Sequence, residues 1–386
     1  MRAAFVTFGC RLNQAEARDM EARFVAAGNV AVPLEGSPDV IYVRGCSVTA
    51  KAARDTAKAI SRLRRDHPAA AVVPLGCAVD AAADPDFGTP PFDPSLYRHA
   101  RAYLKVQDGC NAACAYCIVP RFRGAARSVP PEEVLFKARG FAGAGFGEIV
   151  VSGCNLAQYS HAGAKNFPAL LSMLADALPE VRFRVGSFEP GVCDDDLLTA
   201  FVSHGNICRF LHLSVQSAAE DVLKRMKRSY SAARLDGICR MWRQAFPERF
   251  MLGCDVISGF PGETEGDFAA TRGFLGRWNF ALVHSFPYSE RPGTPAAEMP
   301  GKVHEEVRAD RAAMLSADAA ARHLAFARSF EGRTVDVAVE QTGEESAGWT
   351  GEYLRAVLHG CFPRRAVVAA RVAGVGCDGT LRASAI

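Results

Sequence analysis

Short apolar runs alternate with helix-spaced segments along most of this chain, and that alternation points to an α/β fold with parallel strands. From residue 1 to about residue 77 the order is strand, helix, strand, helix, strand. Ala4–Phe8 ends at Gly9-Cys10, and Ala15–Ala27 has helical spacing and stops at Gly28. Val40–Val43 ends at Gly45-Cys46, a basic helical stretch runs from Ala50 to Arg65, and Ala70–Leu75 ends at Gly76-Cys77. An open parallel sheet gathers its sites outside the carboxyl ends of its strands. Cys10, Cys46 and Cys77 each follow a glycine at such an end, so they are expected to converge although they lie far apart in sequence.

Residues 78–98 are rich in Asp, Pro and Gly (Asp84-Pro85-Asp86, Thr89-Pro90-Pro91, Asp93-Pro94), which is linker or turn composition. A second series of units follows. Strands are expected at Ala102–Val106, Glu148–Ser152, Arg182–Gly186, Phe210–Val215, Met251–Ile257 and Ala281–Phe286. Helical patterns between them include Pro131–Ala144, Pro168–Leu178, Asp195–Val202, Ala232–Ala245 and Glu265–Arg277. Repeated βα units suggest a partial parallel barrel with its site at the C-terminal face of the strands. A long helix over Val303–Ser329 closes this series. The tail changes character, with short strands at Thr334–Glu340, Glu352–Leu358 and Ala366–Val372 that suggest a small β-barrel. The expected division is therefore residues 1–90, 98–327 and 328–386.

Composition narrows the chemistry. No apolar run reaches the length of a membrane span, and the N-terminus reads as a first strand rather than a signal peptide, so a cytoplasmic protein is expected, with no membrane partner. Thirteen cysteines in a reducing compartment argue against a disulfide framework and for metal or redox use of those that cluster. The net charge of +3 says little about nucleic acid, because local patches decide that question.

The strongest chemical signal is Cys110-Asn111-Ala112-Ala113-Cys114-Ala115-Tyr116-Cys117, in a loop after the first barrel strand. Thiolates at this spacing can hold three irons of a 4Fe-4S cluster and leave the fourth open. The open iron can chelate the amino and carboxylate groups of S-adenosylmethionine, and an electron then breaks a carbon–sulfur bond to give a 5′-deoxyadenosyl radical. A zinc site would want four closed ligands, and no fourth Cys or His stands nearby in sequence.

Gln107-Asp108-Gly109-Cys110 through Cys117-Ile118-Val119-Pro120-Arg121-Phe122-Arg123-Gly124, with Arg127-Ser128, resembles the hallmark of the radical S-adenosylmethionine methylthiotransferases. Further likenesses are Ser187-Phe188-Glu189-Pro190, His212-Leu213-Ser214-Val215-Gln216-Ser217, Val222-Leu223-Lys224-Arg225-Met226, Gly259-Phe260-Pro261-Gly262-Glu263-Thr264, and Tyr288-Ser289 followed by Pro292-Gly293-Thr294-Pro295-Ala296. The resemblance runs from Thr7 to the tail. It implies two 4Fe-4S clusters, one held by Cys110, Cys114 and Cys117 and an auxiliary one held by Cys10, Cys46 and Cys77. It also implies two S-adenosylmethionine molecules, one to methylate a sulfur on the auxiliary cluster and one to make the radical that removes hydrogen from the substrate.

Phe5 through Glu16 and His284-Ser285-Phe286-Pro287-Tyr288-Ser289 look most like the branch that converts N6-threonylcarbamoyladenosine, beside the tRNA anticodon, to its 2-methylthio form. The tail is similar to a TRAM domain, a small RNA-binding β-barrel. Arg355, Arg364, Arg365 and Arg371 there, and the run Lys224, Arg225, Lys227, Arg228 beside Tyr230, would suit a single-stranded anticodon loop. The partners so implied are the tRNA anticodon loop and a reduced flavodoxin- or ferredoxin-type electron donor, and not DNA. Residues 44–46 read Arg-Gly-Cys where the family usually has Asn-Thr-Cys, 76–79 read Gly-Cys-Ala-Val, and Ser214 and Ala218 replace a common proline and glycine. No departure removes a cysteine ligand. Methylthiolation of a protein or peptide, or of N6-isopentenyladenosine in tRNA, is the alternative within the same chemistry; a non-catalytic zinc- or cluster-containing RNA-binding protein is the alternative outside it.

Strand-end position marks Ser152, Asn155, Ser187, Glu189 and Gln216 as cofactor or substrate contacts, and Glu263 as the cap of the helix that follows it. Cys193, Cys208, Cys239, Cys254, Cys361 and Cys377 lack ligand spacing and suit core packing, while Cys154, in Ser152-Gly153-Cys154-Asn155, sits where the cofactor is expected. The histidines show no metal-ligand spacing.

Overall fold

The computed structural model describes residues 1–77, 82–87 and 92–386. Ala78-Val79, Thr89-Pro90-Pro91 and the end of the segment expected over 1–90 lie outside those residues. The first unit is a parallel sheet of β1 (Arg2–Thr7), β2 (Val30–Ala31), β3 (Val40–Gly45) and β4 (Ala71–Gly76) in the order β2-β1-β3-β4, with α1 (Arg11–Ala26) and α2 (Ala50–Asp66) as crossovers. Ala3 and Tyr42 pack with Met20 and Phe24 of α1. Their chain neighbours Ala4 and Ile41 pack with Ile60 and Leu63 of α2. That alternation is the two-residue period of a strand, and it covers both faces as parallel sheets require.

Helix α1 starts earlier than the apolar spacing predicts. Cys10 is its N-cap, and the first turn contains Asn13, a polar residue only 1% exposed. The Asn13 amide donates to the Gly45 carbonyl at 2.8 Å and the Phe8 carbonyl at 3.2 Å. A buried polar group with paired partners is invisible to a pattern that counts apolar residues.

The second unit runs β5 (Ala102–Asp108), α3 (Val119–Arg123), β6 (Arg127–Ser128), α4 (Pro131–Gly143), β7 (Glu148–Gly153), α5 (Phe167–Ala177), β8 (Arg182–Val185), β9 (Ser187–Phe188), α6 (Asp195–Ser203), β10 (Phe210–Gln216), α7 (Glu220–Arg225), α8 (Ala232–Ala245), β11 (Met251–Ser258), α9 (Glu265–Arg277) and β12 (Phe280–Pro287). Its strands form two four-stranded sheets, β6-β5-β7-β8 and β12-β11-β10-β9. The strand expected over Arg182–Gly186 ends at Val185, and past Gly186 a separate short strand, Ser187–Phe188, joins the next sheet. Leu211, Leu213, Val215, Cys254 and Val256 pack outward with Leu235, Ile238 and Leu275 of the surrounding helices. The alternate residues of the same strands, among them His212, Ser214 and Asp255, therefore face the barrel interior.

Helix α10 (Glu305–Arg328) follows, then a closed barrel in the order β13-β14-β15-β17-β16, made of β13 (Thr334–Gln341), β14 (Glu345–Thr350), β15 (Arg355–His359), β16 (Val367–Val375) and β17 (Leu381–Ala385). Sequence pattern predicts three of these five strands. Glu345–Thr350 and Leu381–Ala385 are rich in Gly, Ala and Ser, and pairing with neighbours defines them rather than side-chain pattern. This barrel seals the lower end of the partial barrel. Phe210, Met251 and Ala281 share a core with Val337, Leu354 and Leu358, and Tyr353 stacks on Phe210 at 4.8 Å and on Trp349 at 4.7 Å. Glu148, fully buried, accepts from Arg184 at 2.8 and 3.0 Å and from Arg182 at 2.8 Å. The two arginines also donate to the Thr350, Trp349, Gly351 and Asp336 carbonyls. Among the described residues no helix is long and apolar enough to cross a membrane.

Candidate active site

The loop after β5 is held in shape before any ligand is considered. Gly109 has φ 68°, and a Cβ there would lie 2.0 Å from the Ala125 carbonyl oxygen, so only glycine fits. Main-chain bonds from Cys110 N to Gly124 O (3.1 Å), Ala115 N to Met226 O (2.9 Å) and Ala296 N to Ala115 O (2.8 Å) pin the loop to three separate segments. Donors surround the sulfurs: Arg228 Nη1 is 3.1 Å from Cys114 Sγ, Ala112 N is 3.4 Å from Cys110 Sγ, and Asn155 Nδ2 is 3.8 Å from the same sulfur. Burial first, then the neighbouring Cys114 and Cys110 thiols, push the Cys117 thiol up to about 11. None of the three is in a disulfide. Three thiols whose charges oppose one another, ringed by hydrogen-bond donors, form a fitting cradle for a cationic cluster.

The N-terminal trio also converges. Gly9 has φ 98°, and a Cβ on it would fall 2.6 Å from Cys46 Cβ, so the turn that brings Cys10 beside Cys46 requires glycine. Cys46 and Cys77 are buried and Cys10 is exposed. Burial raises the Cys46 thiol, and the Cys10 and Cys77 thiols raise it further. Burial likewise raises Cys77, with Arg123 opposing and Cys10 adding. This set has the same donor chemistry as the first.

A polar network joins the two trios. Arg123, the last residue of α3 and six residues beyond Cys117, donates to Glu16 at 2.8 and 3.1 Å, to Asp108 at 3.0 Å and to the Asn13 side chain at 2.8 Å. Glu16 also accepts from Lys105 at 2.8 Å and from Arg44 at 2.9 Å. Burial pushes the Glu16 carboxyl up, but Arg123 and Lys105 outweigh it and hold the group below its ordinary value. Asp108 is held low in the same way by Lys105 and Arg123. Cys154 donates toward Asp108 at 3.4 Å, and burial pushes its thiol up to about 12. Arg123 and Glu16 lie within the family-like stretches of the sequence, but their pairing with each other joins two units and so carries no sequence spacing.

Of the five strand-end residues predicted to touch cofactor or substrate, one borders the Cys110 loop directly and one reaches it through Arg228. Asn155 lies beside Cys110, and Glu189 accepts from Arg228, the residue that reaches Cys114. Gln216 has φ 59°, a left-handed conformation uncommon outside glycine, at the end of β10. Ser187 is exposed on β9, and Ser152 is buried with its hydroxyl 3.5 Å from the Leu104 carbonyl.

Other expectations need correction. Thr264, not Glu263, caps α9, in a capping box with Asp267. Glu263 is buried, accepting from Gly259 N at 2.7 Å and Arg311 at 2.6 Å. Tyr230 is buried and donates to the Ser214 and Val215 carbonyls, so its ring does not stack on a base. Arg228 points inward, and Arg365 donates to the Tyr97, His99 and Ala144 carbonyls, so neither is a surface phosphate contact. Lys224, Lys227, Arg364 and Arg371 are exposed. Finally, the absence of histidine spacing in the sequence does not carry into space, for His212, Asp255 and His284 on adjacent strands bring their ligand atoms within 4.8 Å of one another.

Comparison with known proteins agrees with this arrangement. The Radical SAM superfamily pattern matches residues 104–275, and the Uncharacterized protein family UPF0004 matches residues 2–89. The chain is 30% identical to the threonylcarbamoyladenosine tRNA methylthiotransferase MtaB of Bacillus subtilis, over 92% of this chain and 90% of that one. It is 31% identical to the tRNA-2-methylthio-N(6)-dimethylallyladenosine synthase of Roseobacter denitrificans, over 91% of each chain. Among solved structures, the radical S-adenosylmethionine methyltransferase TsrM from Kitasatospora setae superposes with a TM-score of 0.55 at 14% identity, covering 77% of each chain, a likeness of fold. With 30% and 31% identity to such enzymes over about nine-tenths of its length and a three-cysteine loop on a partial α/β barrel, the chain belongs to the radical S-adenosylmethionine methylthiotransferase family.

Proposed function

We propose that the protein methylthiolates C2 of N6-threonylcarbamoyladenosine beside the tRNA anticodon, using two S-adenosylmethionine molecules and two 4Fe-4S clusters. The observation that carries this reading is the pair of three-thiol sets joined through Arg123. In this reading Cys110, Cys114 and Cys117 hold the cluster that binds S-adenosylmethionine, and Cys10, Cys46 and Cys77 hold the auxiliary one. When bound, the clusters and S-adenosylmethionine supply the radical that removes a substrate hydrogen and the methylthio group that replaces it.

The chain's own residues bind and orient. Arg228 directs charge at Cys114 and fixes Glu189, while Asn155 stands at Cys110. Ser152, Ser187 and Gln216 would complete the strand-end lining that holds S-adenosylmethionine. The Arg123 network fixes the distance between the two trios and keeps two carboxylates charged beside them. The exposed Lys224, Lys227, Arg364 and Arg371 meet tRNA phosphates, and a reduced flavodoxin- or ferredoxin-type protein supplies the electron. Residues 1–90, 98–327 and 328–386 act as cluster-bearing, radical-generating and RNA-docking units.

The test is nucleoside analysis of tRNA from a host lacking the gene. Disappearance of the 2-methylthio form of N6-threonylcarbamoyladenosine, restored by the gene, is expected. Loss of the isopentenyladenosine derivative instead would select the activity of the second relative, which is equally similar. Unchanged tRNA, with no tRNA affinity at low salt, would turn the reading to a peptide substrate.

A further inference from the structure

We infer that His212, Asp255 and His284 form a divalent-cation site in the interior of the partial barrel, suited to zinc and separate from both cysteine trios. The three residues stand on adjacent parallel strands, and main-chain pairing sets Asp255 opposite His284 and His212 opposite Gly253. Asp255 Oδ1 lies 3.1 Å from His212 Nε2 and 3.2 Å from His284 Nδ1. Two imidazole nitrogens thus approach one carboxylate oxygen from two sides. Separations near 3 Å are what neighbouring ligand atoms have around an ion bound at about 2.0–2.1 Å.

Burial separates this cluster from an ordinary hydrogen-bonded core histidine. His212 is 5% exposed, and its Nε2 has no properly aligned hydrogen-bond partner although the carboxylate is close. The carboxylate alone satisfies that nitrogen at poor alignment, and an ion in the same direction would bind nitrogen and carboxylate together. The ring is seated by a missing side chain, since a Cβ on Gly253 would come within 2.9 Å of His212 Nδ1. His284, half exposed, leaves a way in. Two imidazoles and a carboxylate are a borderline-soft donor set that suits zinc, and three protein ligands leave a fourth position open toward the interior. The cysteines are soft thiolate sites by contrast, so element-specific spectroscopy distinguishes the two kinds of site.

The experiment loads the anaerobically reconstituted full-length enzyme with zinc, removes loose metal by desalting, and measures zinc, iron and sulfide together with the zinc X-ray absorption edge. The expected result is zinc retained with a shell of nitrogen and oxygen at about 2.0–2.1 Å. His284→Ala, at a half-exposed position, and Asp255→Asn should each weaken zinc binding at least about 100-fold with iron and sulfide unchanged, whereas His359→Ala should change nothing. Zinc bound through sulfur at about 2.3 Å, zinc uptake equal in all variants, or no retained zinc in the unaltered enzyme would each overturn the inference.

Discussion

At the scale of single residues, the side chains beside the cysteines are charged groups with several partners, and removing one leaves the others stranded. Arg123 is the clearest case. Glu16 and Asp108 are held ionised largely by Arg123 and Lys105. Arg123→Ala should therefore destabilise the protein by about 3–5 kcal/mol, the usual result of orphaning buried charges. Chemical denaturation of the variant against the parent measures it. Arg228 differs because it bonds to a cysteine sulfur as well as to Glu189, Tyr116 and the Ser214 carbonyl. Lysine keeps the charge but loses the planar fork. Arg228→Lys should keep its full iron content and yet make 5′-deoxyadenosine about 10–100-fold more slowly, as changes behind a metal ligand commonly do. Iron analysis alongside a single-turnover cleavage assay checks it, and a variant that cleaves at the parent rate would leave Arg228 with a packing role only.

At the scale of elements, the seam between the partial barrel and the small β-barrel has a hydrophobic core and, beside it, one fully buried carboxylate. Burial alone would raise Glu148, but Arg184 and Arg182 overcome it and hold the group below its ordinary value of 4.5. A carboxyl depressed in the folded state contributes stability that is complete above its unfolded value and lost as pH falls through the folded one. The denaturant midpoint should therefore stay level from neutral pH down to about 5 and fall below about 4.5. Glu148→Gln should be less stable at neutral pH by about 3–5 kcal/mol, with a smaller further loss in acid. Comparing the two proteins at each pH cancels whatever acid does to the rest of the molecule. The elements themselves were largely legible in sequence. Ala232–Ala245 and Glu265–Arg277 are helices with the bounds their spacing predicts, and the six strands of the middle series occur within a few residues of expectation. Glu345–Thr350 and Leu381–Ala385 were illegible because small residues carry no period. The cysteine trios were legible because glycine–cysteine pairs end strands. Arg123, Arg228 and the His212–Asp255–His284 cluster were not, since strand register and packing between units, rather than spacing, assemble them.

At the scale of the whole molecule, the two cysteine sets sit on different sheets, and the polar network around Arg123 and Glu16 links them directly. Each trio has its own turn: Gly9 permits the approach to Cys46, and Gly109 permits the loop that starts at Cys110. Their hydrophobic cores are largely distinct, with Phe24 and Tyr42 in one and Leu104 and Val106 in the other, and Ala22 of α1 packs with the second. Loading of one set should therefore survive removal of the other. A variant with Cys10, Cys46 and Cys77 all changed to alanine should retain about four irons per chain, against about eight for the parent. It should still cleave S-adenosylmethionine on reduction, because the Cys110 loop keeps its main-chain bonds to Gly124, Met226 and Ala296. On the proposed assignment it should form no methylthio product, because the sulfur donor site would be gone while the radical site remained. Iron and sulfide analysis, a 5′-deoxyadenosine assay and nucleoside mass spectrometry on one preparation read all three outcomes. Loss of both sets of irons together would instead mean that the N-terminal sheet must be loaded for the barrel site to assemble, and the Arg123 network would then be the path that couples them.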